Sequence, residues 1–260
     1  MGDFRLDFFV AGVQKGGTTA LYSKLKHHPD IFLPERKELH FFDKEHLDWQ
    51  TPDYDILHEH FHAADGRVCG KVTPMYIYYR EAIERICAYN PDAKIICILR
   101  HPAYRALSQW KMEVTRGAER FGFHSAIARN GVLRVVRPGR QRRVVSYLDR
   151  GHYATQIERL FHFFPKSQTF FMTTDQLWTD ENDSLRSICS FLGVSPSRLP
   201  TETAAKKYIA PVNTEKVHAP RGALSVLKRY YRNDIKACAD LTGLNLDHWL
   251  RQDYTEPMVA

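Results

Sequence analysis

Residues 8–22 read FFVAGVQKGGTTALY, and the fold turns on how this stretch is understood. An apolar run over 8–13, with Gly12 in it, leads into a turn holding Gly16 and Gly17, and a helical pattern follows. Such a strand, turn and helix aims several main-chain N–H groups at one point, and the helix dipole adds partial positive charge there. Gly16 and Gly17 let an anion approach the backbone closely, Thr18 and Thr19 add hydroxyl donors, and Lys15 adds a full charge. Gly12 and Gly17 have the G-x-x-x-x-G spacing of nucleoside-triphosphate enzymes, but Thr18-Thr19 stands where those enzymes place Lys and Ser/Thr. The lysine lies inside the loop, at Lys15.

Outward from the loop, apolar runs and helical patterns alternate. Strands are expected over 8–13, 67–72, Lys94–Leu99 and 168–173. Helices are expected over 18–27, Arg80–Tyr89, Pro102–Thr115, 147–164, 184–192 and 224–241. The uninterrupted KIICIL at 94–99 marks a central strand buried on both faces. Alternating strand and helix predicts an α/β, P-loop-like, three-layer fold, with a central parallel sheet flanked by helices. A chain of 260 residues suits one domain, taken here as 1–260.

Net charge is +7, which admits a nucleic acid, an acidic membrane surface or a strongly anionic small ligand. No apolar run reaches the roughly 18 residues of a membrane span. The N-terminal residues show no basic segment leading into an apolar stretch, so no signal peptide is expected. The five cysteines are scattered, without a C-x-x-C pair, which fits a reducing cytoplasm and argues against a disulfide framework or zinc site. His58 and His62 have an i,i+4 spacing, but no third ligand is evident and a solvated helix face is the simpler account. The arginines of RVVRPGRQRR, 134–143, fit a solvated loop or an anion contact. No aromatics are interleaved with them, which disfavours single-stranded nucleic acid. Trp49, Tyr54, Tyr76, Tyr78 and Tyr79 fit either an acceptor cleft or core packing.

The strand at 94–99 leads into Arg100-His101-Pro102. A nucleoside-triphosphate site would hold Mg²⁺ through an acidic residue at the end of such a strand. Here a cation stands in that place, so Lys15 and Arg100 suit an anion bound without metal. Pro102 is suited to opening a helix, and Ser108 lies along it. A second phosphate between Arg100 and Ser108 points to a nucleotide phosphorylated at two positions.

These motifs carry a resemblance. VAGVQKGGTTALYSKLKHHPDI followed by KELHFFD resembles the start of the sulfotransferase family that includes the glycosaminoglycan enzymes and many bacterial relatives. CILRHPAYRALSQW is similar to that family's 3′-phosphate motif, and 147–165, 183–196 and 227–250 resemble its later helices and C-terminal end. The resemblance runs from about Leu6 to Leu250. It implies the donor 3′-phosphoadenosine 5′-phosphosulfate, with product adenosine 3′,5′-bisphosphate and no metal. By the matching positions, Lys15, Gly16, Gly17, Thr18 and Thr19 hold the 5′-phosphosulfate, and Arg100 and Ser108 hold the 3′-phosphate. Glu38 matches the general base, Lys15 assists the leaving group, His40 orients or substitutes for Glu38, and Asp43 helps bind the acceptor. In an extended segment Glu38 and His40 would point the same way.

Two departures stand out. Many relatives carry a lysine immediately before the Ser/Thr-Pro of the next strand, where this chain has Val72, with Lys71 one residue earlier. A shift of one residue turns a side chain to the opposite face, so Lys71 reaches an acceptor only across a bulge. The second is the donor loop near the C-terminal end, where Lys206, Lys207 and Asn213 are candidates without a motif to assign them. The acceptor is expected to be a small molecule, saccharide or lipid, not nucleic acid. The competing readings are a P-loop nucleotide kinase and a polyanion-binding module on the same fold without the chemistry.

Overall fold

The computed structural model describes residues 4–136, 144–199 and 221–257. By its internal contacts the chain divides into two compact units, Met1–Leu99 with Arg159–Ile209, and Arg100–Glu158 with Ala210–Ala260.

The first unit is built on a five-stranded parallel sheet. Its strands are β1 (Phe8–Gly12), β2 (Ile31–Phe32), β3 (Val68–Val72), β4 (Lys94–Leu99) and β5 (Thr169–Thr173), in the order β2-β3-β1-β4-β5. Apart from Lys94 at the start of β4, the central pair β1 and β4 is apolar, as strands covered on both faces are. Alternation sorts their side chains. Phe8, Val10, Ile96 and Ile98 join a core with Leu21, Leu25, Leu185, Ile188 and Leu192. Phe9 packs instead against the rings of Phe42 and Tyr89.

Helices α1 (Thr18–Leu25), α2 (Asp55–His58), α3 (Arg80–Tyr89), α7 (Thr174–Thr179) and α8 (Glu181–Leu192) belong to this unit. The second unit holds α4 (Pro102–Thr115), α5 (Phe123–Val136), α9 (Arg221–Tyr230) and α10 (Arg232–Thr242). Helix α6 (Tyr153–Phe163) runs from one into the other. In α4, Pro102 sits in the first turn and the His101 ring accepts the Ala103 N–H at 3.2 Å, so the expected start is capped by the residue before the proline.

The α/β fold with a parallel sheet flanked by helices is as the sequence predicts, and three elements match to the residue: α3, β4 and α4. Others differ for physical reasons. β2 has two residues, too few for an alternation to register. The helix expected over 224–241 is two, α9 and α10, broken where Tyr231 has ψ of 0°. The Tyr231 hydroxyl donates to the Leu148 carbonyl at 2.8 Å and its ring is fully buried. Packing of one aromatic therefore breaks a pattern that reads as continuous. Part of the arginine-rich stretch is helical, since α5 extends to Val136. The rest of it, with Lys206, Lys207 and Asn213, lies outside the described residues.

No helix among the described residues is long and apolar enough to cross a membrane. All five cysteines are free thiols, four of them buried.

Candidate active site

The loop between β1 and α1 is tied down by the backbone around it. Val13 N–H donates to the Ile98 carbonyl at 3.1 Å, and Gly16 N–H returns to the Val13 carbonyl at 2.9 Å. The Thr174 hydroxyl donates to the carbonyls of Gly16 and Leu99, at 2.9 and 3.1 Å. A Cβ on Gly16 would fall 2.2 Å from the Ile98 carbonyl oxygen, so only glycine fits between the loop and β4. Gly17 has φ of 95°, the left-handed conformation that favours glycine, and it precedes the first turn of α1. No side chain caps α1 and no acidic residue lies in its first turn. A helix start furnished in this way fits an anion, and the half-buried Lys15 of the same loop adds its charge.

The segment KELHFFD forms the second part of the first unit's site. It is not extended. The chain bends at residues 35–37, and His40 takes φ of 51°. A histidine tolerates that region better than most residues, but it is a strained choice of the kind found at functional sites. The bend brings Glu38 and His40 together by a route that strand alternation does not describe. His40 Nε2 lies 3.4 Å from Glu38 Oε2, and Nδ1 lies 2.9 Å from Asp43 Oδ2. Asp43 is buried.

Charge follows from this geometry. The hydrogen bonds to Asp43 and Glu38 outweigh burial and raise the His40 pKa to about 9. The ring is then an imidazolium at neutral pH, donating from both nitrogens. Burial alone would raise the Glu38 pKa, but the His40 hydrogen bond and the Lys37 ammonium together lower it to about 2. Glu38 is a carboxylate held between two cations.

Lys37 was not among the residues singled out from the sequence. Its Nζ lies 2.8 Å from Glu38 Oε1 and 3.5 Å from the Thr18 hydroxyl, the outer limit of a hydrogen bond. One ammonium thus joins the carboxylate cluster to the first residue of α1. Neighbours on an extended chain point to opposite sides, so only the bend at this segment places Lys37 beside Glu38.

Lys71 is fully buried in β3, where pairing with β1 runs without a shift from Phe8–Gly70 to Val10–Val72. No bulge turns it. Its Nζ donates to the carbonyls of Arg36 and Lys37, at 2.9 and 2.7 Å. Burial lowers its pKa to about 6. A neutral amine has two N–H donors for those two carbonyls, so the pairing is complete without a charge. Val72, the next residue, is in the apolar core.

The second unit carries Arg100 and Ser108. Ser108 is half-buried on α4. Arg100 follows β4, and its carbonyl accepts from the Tyr153 hydroxyl at 2.7 Å. Its guanidinium grips Glu256 through two parallel hydrogen bonds, Nε to Oε1 at 2.7 Å and Nη2 to Oε2 at 2.6 Å. Glu256 also escaped the sequence reading, because nothing local links it to a residue so far along the chain. Tyr254, two residues earlier, stacks on His101 at 5.2 Å between centroids and accepts from the Tyr104 hydroxyl through its carbonyl, at 3.1 Å.

The first unit thus offers a parallel sheet, an uncapped loop after its first strand whose charge suits an anion, and a paired carboxylate and imidazole. Comparison with known proteins gives the family. The sulfotransferase domain model matches residues 5–217, and the chain belongs to that family. It is 31% identical over 188 residues to heparan sulfate glucosamine 3-O-sulfotransferase 3A1 of Mus musculus, covering 71% of this chain and 45% of that protein. The crystal structure of a sulfotransferase from Alicyclobacillus acidocaldarius matches with a TM-score of 0.79 and 27% identity, over 95% of this chain and 100% of that one. The sulfotransferase domain of the Synechococcus PCC 7002 olefin synthase, at TM-score 0.53 and 17% identity over 85% and 93% of the two chains, shares the fold. The chain spans about half the length of the heparan sulfate 3-O-sulfotransferases that it matches.

Proposed function

We propose that this protein moves a sulfuryl group from 3′-phosphoadenosine 5′-phosphosulfate to a hydroxyl, or an amine, of an acceptor. The observation that carries the reading lies in the first unit. The Glu38–His40–Asp43 cluster stands one ammonium away from Thr18, at the start of the helix whose loop suits the donor's 5′ end. Family membership supplies the reaction class.

In the step itself the acceptor oxygen forms a bond to sulfur, and the bond from sulfur to the 5′-phosphate oxygen breaks. The electron pair leaves on the phosphate of adenosine 3′,5′-bisphosphate. The acceptor proton passes to a Glu38 carboxylate oxygen. Lys15 stabilises the charge that builds on the departing phosphate oxygen, as positioned cations do in the related phosphoryl transfers. His40 acts as an orienting cation for Glu38, since an imidazolium has no lone pair with which to take a proton. Asp43 holds the ring by its other nitrogen and keeps it charged. Arg100 and Ser108 are assigned the donor's 3′-phosphate by the motif they match.

The acceptor class favoured by the names of the relatives is a saccharide hydroxyl, with lipids and small hydroxylated metabolites as the alternatives. Incubation with the donor and such a panel, read by mass spectrometry for the gain of one sulfuryl group, tests the proposal. Glu38→Gln is expected to lower turnover about 10²–10⁴-fold, the usual worth of a general base, with donor binding retained. Wild-type turnover in that variant removes Glu38 from the role.

A further inference from the structure

We infer that Lys37 is a catalytic residue of this transfer, its ammonium contacting the sulfonate oxygens of the donor between the base and the donor loop. The inference rests on the sulfotransferase reading and adds a residue to it. Lys37 Nζ lies 2.8 Å from Glu38 Oε1 and 3.5 Å from Thr18 Oγ1. Lys37 Nζ therefore stands between the start of α1, beside the donor loop, and the carboxylate assigned to the acceptor. An ammonium has three donors, so contact with Glu38 leaves others to turn to that group.

The surroundings hold Lys37 to this place. Lys71 donates to its main-chain carbonyl at 2.7 Å, from a fully buried position, which fixes the backbone from which the side chain rises. The Lys37 side chain is 17% exposed, so its charge is largely withdrawn from water and is worth more than that of a surface lysine.

Two effects on the reaction follow. As sulfur passes from the phosphate oxygen to the acceptor oxygen, charge is spread over the three sulfuryl oxygens, and Lys37 stabilises it there while Lys15 acts on the leaving oxygen. When the ammonium turns towards the sulfonate, Glu38 loses one of the two cations that keep it a weak base. Its remaining charged neighbour in hydrogen-bond contact is His40. The carboxylate becomes a better proton acceptor at the moment the donor is in place.

The test compares wild type, Lys37→Met and Lys37→Arg for kcat, donor KM, pH profile and stabilisation by adenosine 3′,5′-bisphosphate, which lacks the sulfonate. Lys37→Met is expected to lose about 10²–10³ in kcat, the usual cost of removing one transition-state donor. Its acid limb should move to higher pH, and its stabilisation by the bisphosphate should stay within about threefold of wild type in affinity. Lys37→Arg should recover part of the rate. Wild-type kcat in Lys37→Met overturns the inference. So does a rate loss matched by an equal loss of bisphosphate binding, which would make Lys37 structural. A wild-type protein that neither binds the bisphosphate nor transfers sulfuryl overturns the sulfotransferase reading as well, and is distinct from both.

Discussion

Lys71→Met is the substitution whose cost the structure defines best. Methionine nearly matches lysine in length and keeps β3 filled, but it has no donor for the carbonyls of Arg36 and Lys37. Each buried acceptor left without a partner costs about 1–3 kcal/mol. Arg36 is exposed, so water recovers part of the loss, and about 2–3 kcal/mol is lost in this way. Against this, the variant is spared the cost of holding the amine neutral, about 1.4 kcal/mol for each pH unit below 10.5. Its Tm should therefore fall below that of wild type only as pH nears the ordinary lysine value, and match or exceed it near neutral pH. The loss should depend on pH. The folded pKa of Lys71 is about 6 against the ordinary 10.5, so between those values the unfolded chain binds the extra proton. Wild-type stability from this group therefore rises with pH above about 6, and wild type should gain on Lys71→Met steadily from pH 6 to pH 9. Turnover should fall whatever the change in Tm, because Glu38 follows directly on the carbonyl that Lys71 holds and small misplacements cost heavily in rate. Scanning calorimetry across pH, with turnover measured well below Tm, reads all three. A stability difference that does not change with pH, or wild-type turnover in the variant, would refute the clamp.

His40 should titrate near pH 9 in the folded protein, followed by NMR of its ring protons. Its folded pKa is raised, so its contribution is complete below the unfolded value of 6.5 and is lost as pH rises through about 9, where turnover should decline. A midpoint near 6.5 contradicts this. Glu256→Gln removes a carboxylate that already neutralises Arg100, and adenosine 3′,5′-bisphosphate should then bind a few-fold more tightly at low salt, with the gain fading as salt rises. Weaker binding would mean that Glu256 orients Arg100 instead of competing for it.

The loop and the central strands were legible because their signals are local. A strand, Gly-Gly and Thr-Thr within a few residues specify both the backbone and its use, and KIICIL names its own burial. Glu38, His40 and Asp43 were found by motif, but their meeting depends on a bend and on the left-handed His40, which alternation rules do not contain. Lys37 was in plain view inside the quoted motif and was passed over for the same reason. Glu256 and the carbonyl partners of Lys71 are contacts across 156 and about 35 positions, and no local pattern encodes them. The break at Tyr231 is likewise set by a tertiary contact, the hydroxyl on Leu148.

Calorimetric titration with adenosine 3′,5′-bisphosphate in the presence of a chelator tests the central claim most directly. Binding without divalent metal, lost largely in Lys15→Ala and at least tenfold weaker for a nucleotide lacking the 3′-phosphate, is the predicted result. Tight binding of Mg·ATP with none of the bisphosphate would contradict it.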